Sequence, residues 1–207
     1  MHLTHRIFQI FQNAQKDVLA KSLRYVLRQT IMQIEDHFKN IALVLSDVDG
    51  VLTDGGILFD NEGIETKQFH IQDGLGIKLW QRAGHRFGLV TSRSSHIVQL
   101  RANELGIDIV RQGFQKKLPV VQDIIDKENL APEQVCYIGD DLPDLAVFNC
   151  VGLTATVADA ATDVQHAAMV VLDRCGGKGA VRELLERILR SQGRWEDLLL
   201  RYTRKDS

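Results

Sequence analysis

From residue 41 onward the chain alternates short apolar runs with stretches of helical periodicity, and that alternation narrows the folds open to it. IALVLS (41–46), RFGLVTS (86–92), IDIV (107–110), QVCYIGD (134–140), VGLTAT (151–156) and AAMVVL (167–172) read as strands. Apolar runs this continuous suit strands buried on both faces of a parallel sheet. Between them GLGIKLWQRAG, SHIVQLRANELG, KLPVVQDIIDKENL and KGAVRELLERILRSQG carry helical spacing, with Gly84 and Gly106 where a helix C-terminal glycine is expected. The pattern predicts an α/β fold built on a doubly wound, Rossmann-like parallel sheet.

Two segments depart from it. GILFDNEGIETKQFH (56–70) reads as a β-hairpin turning at Asn61-Glu62-Gly63, a flap projecting just after the first strand, with Asp54 and the glycines at 50, 55 and 56 at its base. Residues 1–40 read as an N-terminal helical extension, because Leu19, Leu23, Val26, Leu27, Ile34 and Phe38 fall at helical spacing. Such a helix packs on its own domain or on a neighbouring subunit. The α/β domain is expected over 41–192, followed by a C-terminal tail over 193–207. A length of 207 residues suffices for one well-buried core. A net charge of -2 gives no global pull toward nucleic acid, and no apolar stretch reaches membrane-spanning length. The N-terminal MHLTHRIFQIFQNAQK is interrupted by Gln, Asn and Lys and makes a poor signal peptide. Cys136 and Cys150 sit in apolar runs, where buried free thiols are the simplest reading. These features predict a cytoplasmic protein with neither nucleic acid nor membrane as partner.

In an open parallel sheet, ligands bind outside the carboxyl ends of the strands, so the polar residues that end strands are the candidates for chemistry. The first strand ends in Asp47-Val48-Asp49-Gly50, RFGLV ends in Thr91-Ser92-Arg93, and YIG ends in Asp140-Asp141 with Asp144 a turn later. Lys117 opens the helix after IDIV. Carboxylates gathered at one point raise each other's pKa and need a counter-charge. Mg²⁺ suits them, since it takes a few carboxylate oxygens and keeps positions for water and phosphate. Thr91 offers a hydroxyl, Ser92 a backbone N–H and Lys117 a cation, all suited to phosphate oxygens. An aspartate beside the metal can attack phosphorus, and a second carboxyl two residues on can move protons. Singly each piece is weak: Thr91 reads as a helix-capping residue, Lys117 as a solvated lysine and Asp140-Asp141 as a helix cap. Their order and placement together are not.

DVDGVLTD (47–54), Thr91, Lys117 and GDDLPD (139–144) resemble the four motifs of the haloacid dehalogenase-like (HAD) phosphohydrolases, over a match running from residue 41 to about 190. The resemblance implies that Asp47 is the nucleophile and Asp49 the general acid/base. It implies a Mg²⁺ held by Asp47, the backbone carbonyl of Asp49, and Asp140, and a phosphoryl group bound by Thr91, Ser92 and Lys117. Lys117 would also restrain the charge of the nucleophile. Asp141 and Asp144 read as supporting the metal ligands from behind, with a helix-surface acid as the alternative for Asp144.

The longer run DVDGVLTDGGILFDNEGIETKQFHIQDGLGIKLW, with TSR, QGFQKKL, YIGDDLPD, VADA and GGKGAVRE, is similar to the 3-deoxy-D-manno-octulosonate 8-phosphate (KDO-8-phosphate) phosphatase family. That family belongs to the cap-less HAD branch and assembles as homotetramers, its hairpin and neighbouring subunits closing the site. The resemblance implies a small sugar-acid phosphate as substrate, hydrolysed through an aspartyl phosphate, with Arg93 and Lys178 facing the substrate carboxylate. Three positions depart: Ser92 replaces the glycine of Thr-Gly-Arg, Gln72 stands where arginine is frequent, and Lys178 replaces the arginine of GGRGAVRE. Lysine loses the bidentate grip of arginine on a carboxylate. Arg93 sits where the branch separates octulosonates from nonulosonates and favours the octulosonate, leaving a nonulosonate 9-phosphate as the alternative. A non-catalytic, tetramerising HAD-like module would have lost one or more of Asp47, Asp49, Thr91, Lys117 and Asp140, and all five are present. A phosphomutase lacks its cap, and a nucleic-acid end phosphatase wants more than 6% aromatic residues.

Overall fold

In the computed structural model, which describes residues 34–203, the first apolar run becomes β1 (Leu43–Ser46), buried along its whole length. Five more strands join it: β4 (Arg86–Thr91), β5 (Ile109–Gln112), β6 (Val135–Gly139), β7 (Leu153–Thr156) and β8 (Val170–Val171). Their order is β5-β4-β1-β6-β7-β8, and every pairing is parallel. Each run read as a strand contributes one, though with shifted ends. IDIV begins pairing only at Ile109, opposite Gly88, and AAMVVL shrinks to two residues on an edge that meets β7 alone. Hydrogen-bond register with a neighbour sets strand ends, and apolarity alone does not reveal it.

The helices are α2 (Ile71–Arg82), α3 (His96–Leu105), α4 (Lys117–Glu128), α5 (Leu145–Phe148), α6 (Thr162–Ala167), α7 (Ala180–Ser191) and α8 (Trp195–Thr203), after a helical stretch α1 over 34–40. One layer packs α2 with α3 and α7, the other α4 with α5 and α6. A six-stranded parallel sheet flanked by helices is the doubly wound α/β fold expected. The helical reading of the N-terminal extension lies, as far as residue 33, outside the described residues. Within the stretch read as a tail, α8 forms beyond the left-handed Gly193. Its Trp195 is buried between the guanidinium groups of Arg182 and Arg190, 5.0 and 5.1 Å from the ring centre.

β2 (Leu58–Phe59) and β3 (Glu65–Thr66) make the antiparallel hairpin. Its turn is held by the Asp60 carboxylate, which accepts from the N–H groups of Glu62 and Ile64, with Gly63 supplying the positive φ. Asp54 accepts the Gly56 N–H in the same way, a structural role at the hairpin base. Only this hairpin and α2 lie between β1 and β4, so no cap domain is inserted there. From Lys117 to Asp140 there is only α4, a 3₁₀ turn (Pro132–Gln134) and β6.

The glycine-rich loop before α7 lies directly against the loop after β1. A Cβ on Gly176 would sit 1.9 Å from the Gly50 carbonyl oxygen, and the Gly177 N–H donates to the Val51 carbonyl. α7 begins after Gly179, which has no side chain to cap it. Buried Asp73 of α2 does so instead, accepting the Arg182 N–H at 2.7 Å.

Candidate active site

The sheet order reverses at β1, whose neighbours β4 and β6 lie on opposite sides, and the crevice at that switch point is where ligands enter open sheets. Asp47 follows β1 directly, and its N–H donates to the Ile138 carbonyl of β6. One carboxylate oxygen accepts the Val48 N–H and the other meets the Lys117 ammonium at 2.7 Å. Lys117 starts α4 with 2% of its surface exposed and reaches Asp144 at 2.7 Å as well, a lysine dehydrated between two carboxylates. Burial alone would pull its pKa down, but Asp47 and Asp144 together carry it above the ordinary lysine value.

Asp144 is fully buried, and both its oxygens are engaged. Oδ1 accepts from Lys117 and from the Tyr137 hydroxyl at 2.6 Å, and Oδ2 accepts from the N–H groups of Asp140 and Asp141. Asp144 therefore holds Lys117 in place and fixes the turn after β6. Asp140, carried by that turn, is different: its Oδ1 is buried with no hydrogen-bond partner. Oxygens of Asp47, Asp140 and Asp144 lie within 4.8 Å of one another. Burial, then the charges of Asp47 and Asp144, push Asp140 up to about 8. Burial, against the pull of Lys117, raises Asp47 to about 6. Two partly dehydrated carboxylates, one with an orphaned oxygen, fit a hard divalent cation.

The other predicted residues fall around this centre. Thr91 ends β4, almost fully buried, its hydroxyl accepting the Arg93 N–H. Ser92 has a buried hydroxyl with no partner. The Asp49 side chain turns away from the acidic cluster toward the hairpin, where it pairs with Lys67 and lies 3.7 Å from Arg93. Asp141 does not join the cluster: its carboxylate is exposed and accepts the Leu142 N–H, starting the 3₁₀ turn Leu142–Asp144. Lys178 is exposed on the glycine loop, and Gln72 accepts from Arg174 at 2.7 Å. Sequence reasoning missed Tyr137, Lys67, Glu65 and Asp73. A tyrosine inside an aliphatic strand does signal a buried hydroxyl seeking a partner, whereas the other three show their roles only through contacts distant in sequence.

An aspartate held against a buried lysine, a second carboxyl two residues on and a cluster of acidic oxygens that could hold a cation gather at the carboxyl ends of the central strands, an arrangement suited to a hydrolase of the phosphoryl-transfer kind. A family model for haloacid dehalogenase-like hydrolases matches residues 100–184. The chain is 40% identical over 161 residues to the 3-deoxy-D-manno-octulosonate 8-phosphate phosphatase of Haemophilus influenzae, covering 78% of this chain and 89% of that one. It also superposes on the phosphatase of that name from Moraxella catarrhalis, solved with magnesium ion, phosphate ion and KDO. There the TM-score is 0.80 at 36% identity, over 82% of this chain and 98% of that one. The cobalt-bound form of the Haemophilus influenzae enzyme gives 0.76 at 38% identity, over 79% and 99%. The chain belongs to the 3-deoxy-D-manno-octulosonate 8-phosphate phosphatase family, within the cap-less haloacid dehalogenase-like hydrolases.

Proposed function

We propose that the protein is a Mg²⁺-dependent phosphatase that hydrolyses 3-deoxy-D-manno-octulosonate 8-phosphate to KDO and phosphate. The observation that carries this reading is the buried Asp47–Lys117–Asp144 chain beside the orphaned Asp140 oxygen. It supplies a nucleophile, its counter-charge and a cation site at one strand edge. The 40% identity to the Haemophilus influenzae phosphatase supports the choice of substrate.

Asp47 attacks phosphorus in line, forming an aspartyl phosphate as the P–O bond to the sugar breaks. Asp49 protonates the departing sugar oxygen and then takes a proton from the water that hydrolyses the intermediate. Lys117 keeps Asp47 ionised and oriented, and with Thr91 and the Ser92 N–H it binds the phosphoryl oxygens. Asp47, Asp140 and the Asp49 carbonyl would hold Mg²⁺, which when bound neutralises charge on the carboxylates and phosphate. Arg93 and Lys178 would meet the sugar-acid carboxylate. The chain acts as a cytoplasmic homotetramer, and Ile57, Leu58, Phe59 and Ile64, apolar side chains left exposed on the hairpin, support its assembly with further copies. Among the described residues no helix is long and apolar enough to cross a membrane.

Phosphate release from KDO-8-phosphate and from a nonulosonate 9-phosphate, with light scattering on the same sample, tests these points. Mg²⁺-dependent turnover favouring the octulosonate is expected, by a particle of four chains. Asp47→Asn is expected to abolish turnover while leaving the melting transition in place. Full activity in that variant would end the proposal, and a wild type inert toward every sugar-acid phosphate would turn it toward a scaffold role.

A further inference from the structure

The hairpin brings a charged ring to the one carboxylate of the proposed machinery that lies outside the acidic cluster. Lys67, one residue beyond β3, is buried with 1% of its side chain exposed and pairs with Asp49 Oδ1. Glu65 of β3 holds Lys67 at 3.3 Å and Arg93 at 2.6 Å, and accepts from the Ser95 hydroxyl at 3.2 Å. Asp49 Oδ2 is buried with no hydrogen-bond partner and lies 3.7 Å from the Arg93 Nε. One oxygen of the carboxylate is thus anchored by a hydrogen bond, while the other makes none and only faces Arg93.

A carboxylate that must give up and take back a proton during turnover works best when one oxygen is presented at a fixed place. Asp49 lies in the turn that leaves β1, directly before Gly50, and has no helix or strand of its own to hold its rotamer. Burying a lysine at this spot is costly unless it is paired, and the pairing found is with Glu65 of the hairpin itself and with Asp49, 18 residues back in the loop after β1. We propose that Lys67 is a positioning residue: by anchoring Asp49 Oδ1 from the flap, it reserves Oδ2 for proton exchange with the leaving oxygen. This rests on the phosphatase reading and extends it, making the flap part of the catalytic geometry of its own chain.

A leaving group that needs no proton separates this role from a structural one. In Lys67→Met, kcat/KM for KDO-8-phosphate, or for the primary sugar phosphate turned over best, is expected to fall by at least about tenfold. For p-nitrophenyl phosphate, whose phenolate departs unprotonated, the fall is expected to stay within about threefold. Equal losses on both esters, or none, overturn the inference while leaving the phosphatase reading intact. A wild type inert toward both esters overturns the two together. The second test uses Asp49→Asn, where loss of Lys67 strands no carboxylate, so it stands even if Lys67→Met alone fails to fold. Adding Lys67→Met in that background is expected to change kcat/KM by less than about twofold. A further loss of about tenfold there means that Lys67 acts apart from Asp49 and sinks the inference.

Discussion

At the scale of single residues, the site is organised by a lysine and a tyrosine that touch no solvent. Lys117 is tolerable in the interior only because Asp47 and Asp144 both face it. Removing it takes the shared counter-charge from two buried carboxylates, whereas removing Tyr137 strips one hydrogen bond from a carboxylate that keeps three others, Lys117 among them. Lys117→Met is therefore expected to cost about 3–5 kcal/mol in denaturant unfolding and to abolish phosphate release. Tyr137→Phe is expected to cost about 2 kcal/mol and to leave turnover reduced but measurable. Equal costs for the two would contradict the idea that Lys117 is the central counter-charge. The residue types at the strand ends were legible in the sequence because the chemistry of phosphate and Mg²⁺ demands them. The side to which Asp49 turns was not, since its rotamer is set by Lys67, 18 residues further on.

At the scale of elements, α7 depends on α2 for its N-terminus. The carboxylate of Asp73 reaches the Arg182 N–H across 109 residues, and burial holds its pKa above the usual carboxylate range. An acceptor is needed there more than a charge. Asp73→Ala is expected to lower stability by about 1–2 kcal/mol in thermal unfolding, and Asp73→Asn to recover most of it. Recovery no better than alanine would mean that the charge itself holds α7. The helical spacing of α7 was visible in the sequence, but neither its start after Gly179 nor the residue that caps it was. Likewise Asn61-Glu62-Gly63 announced the hairpin, while the grip of Asp60 on its turn and the place where its second strand delivers Lys67 depended on the folded chain.

At the scale of the whole molecule, the acidic centre makes the metal-free protein sensitive to pH. Asp47 and Asp140, raised from 3.8 to about 6 and about 8, bind protons more tightly folded than unfolded. Their contribution is full below 3.8 and is lost as pH rises through about 6 for Asp47 and about 8 for Asp140. With chelator present, the melting temperature is expected to fall as pH rises through that window, and Asp140→Asn to remove the upper part of the fall. Because Mg²⁺ binds the deprotonated carboxylates, adding it is expected to raise the melting temperature at about pH 8 far more than near pH 4. A Mg²⁺ shift independent of pH would contradict this account of the site.

The alternation of buried runs and helical spacing determined a parallel α/β sheet by itself, because burial on both faces leaves a periodicity that needs no partner to be read. It also determined which strand ends carry carboxylates and hydroxyl and which helix start carries the lysine, since each is placed by the element it borders. Only the tertiary structure decided that Asp144 locks Lys117, that Asp141 caps a turn instead of joining the cluster, that Lys67 anchors Asp49 and that Asp73 caps α7. Those pairings join residues from separate elements, and neither local periodicity nor local spacing carries information about which distant side chain satisfies a buried charge.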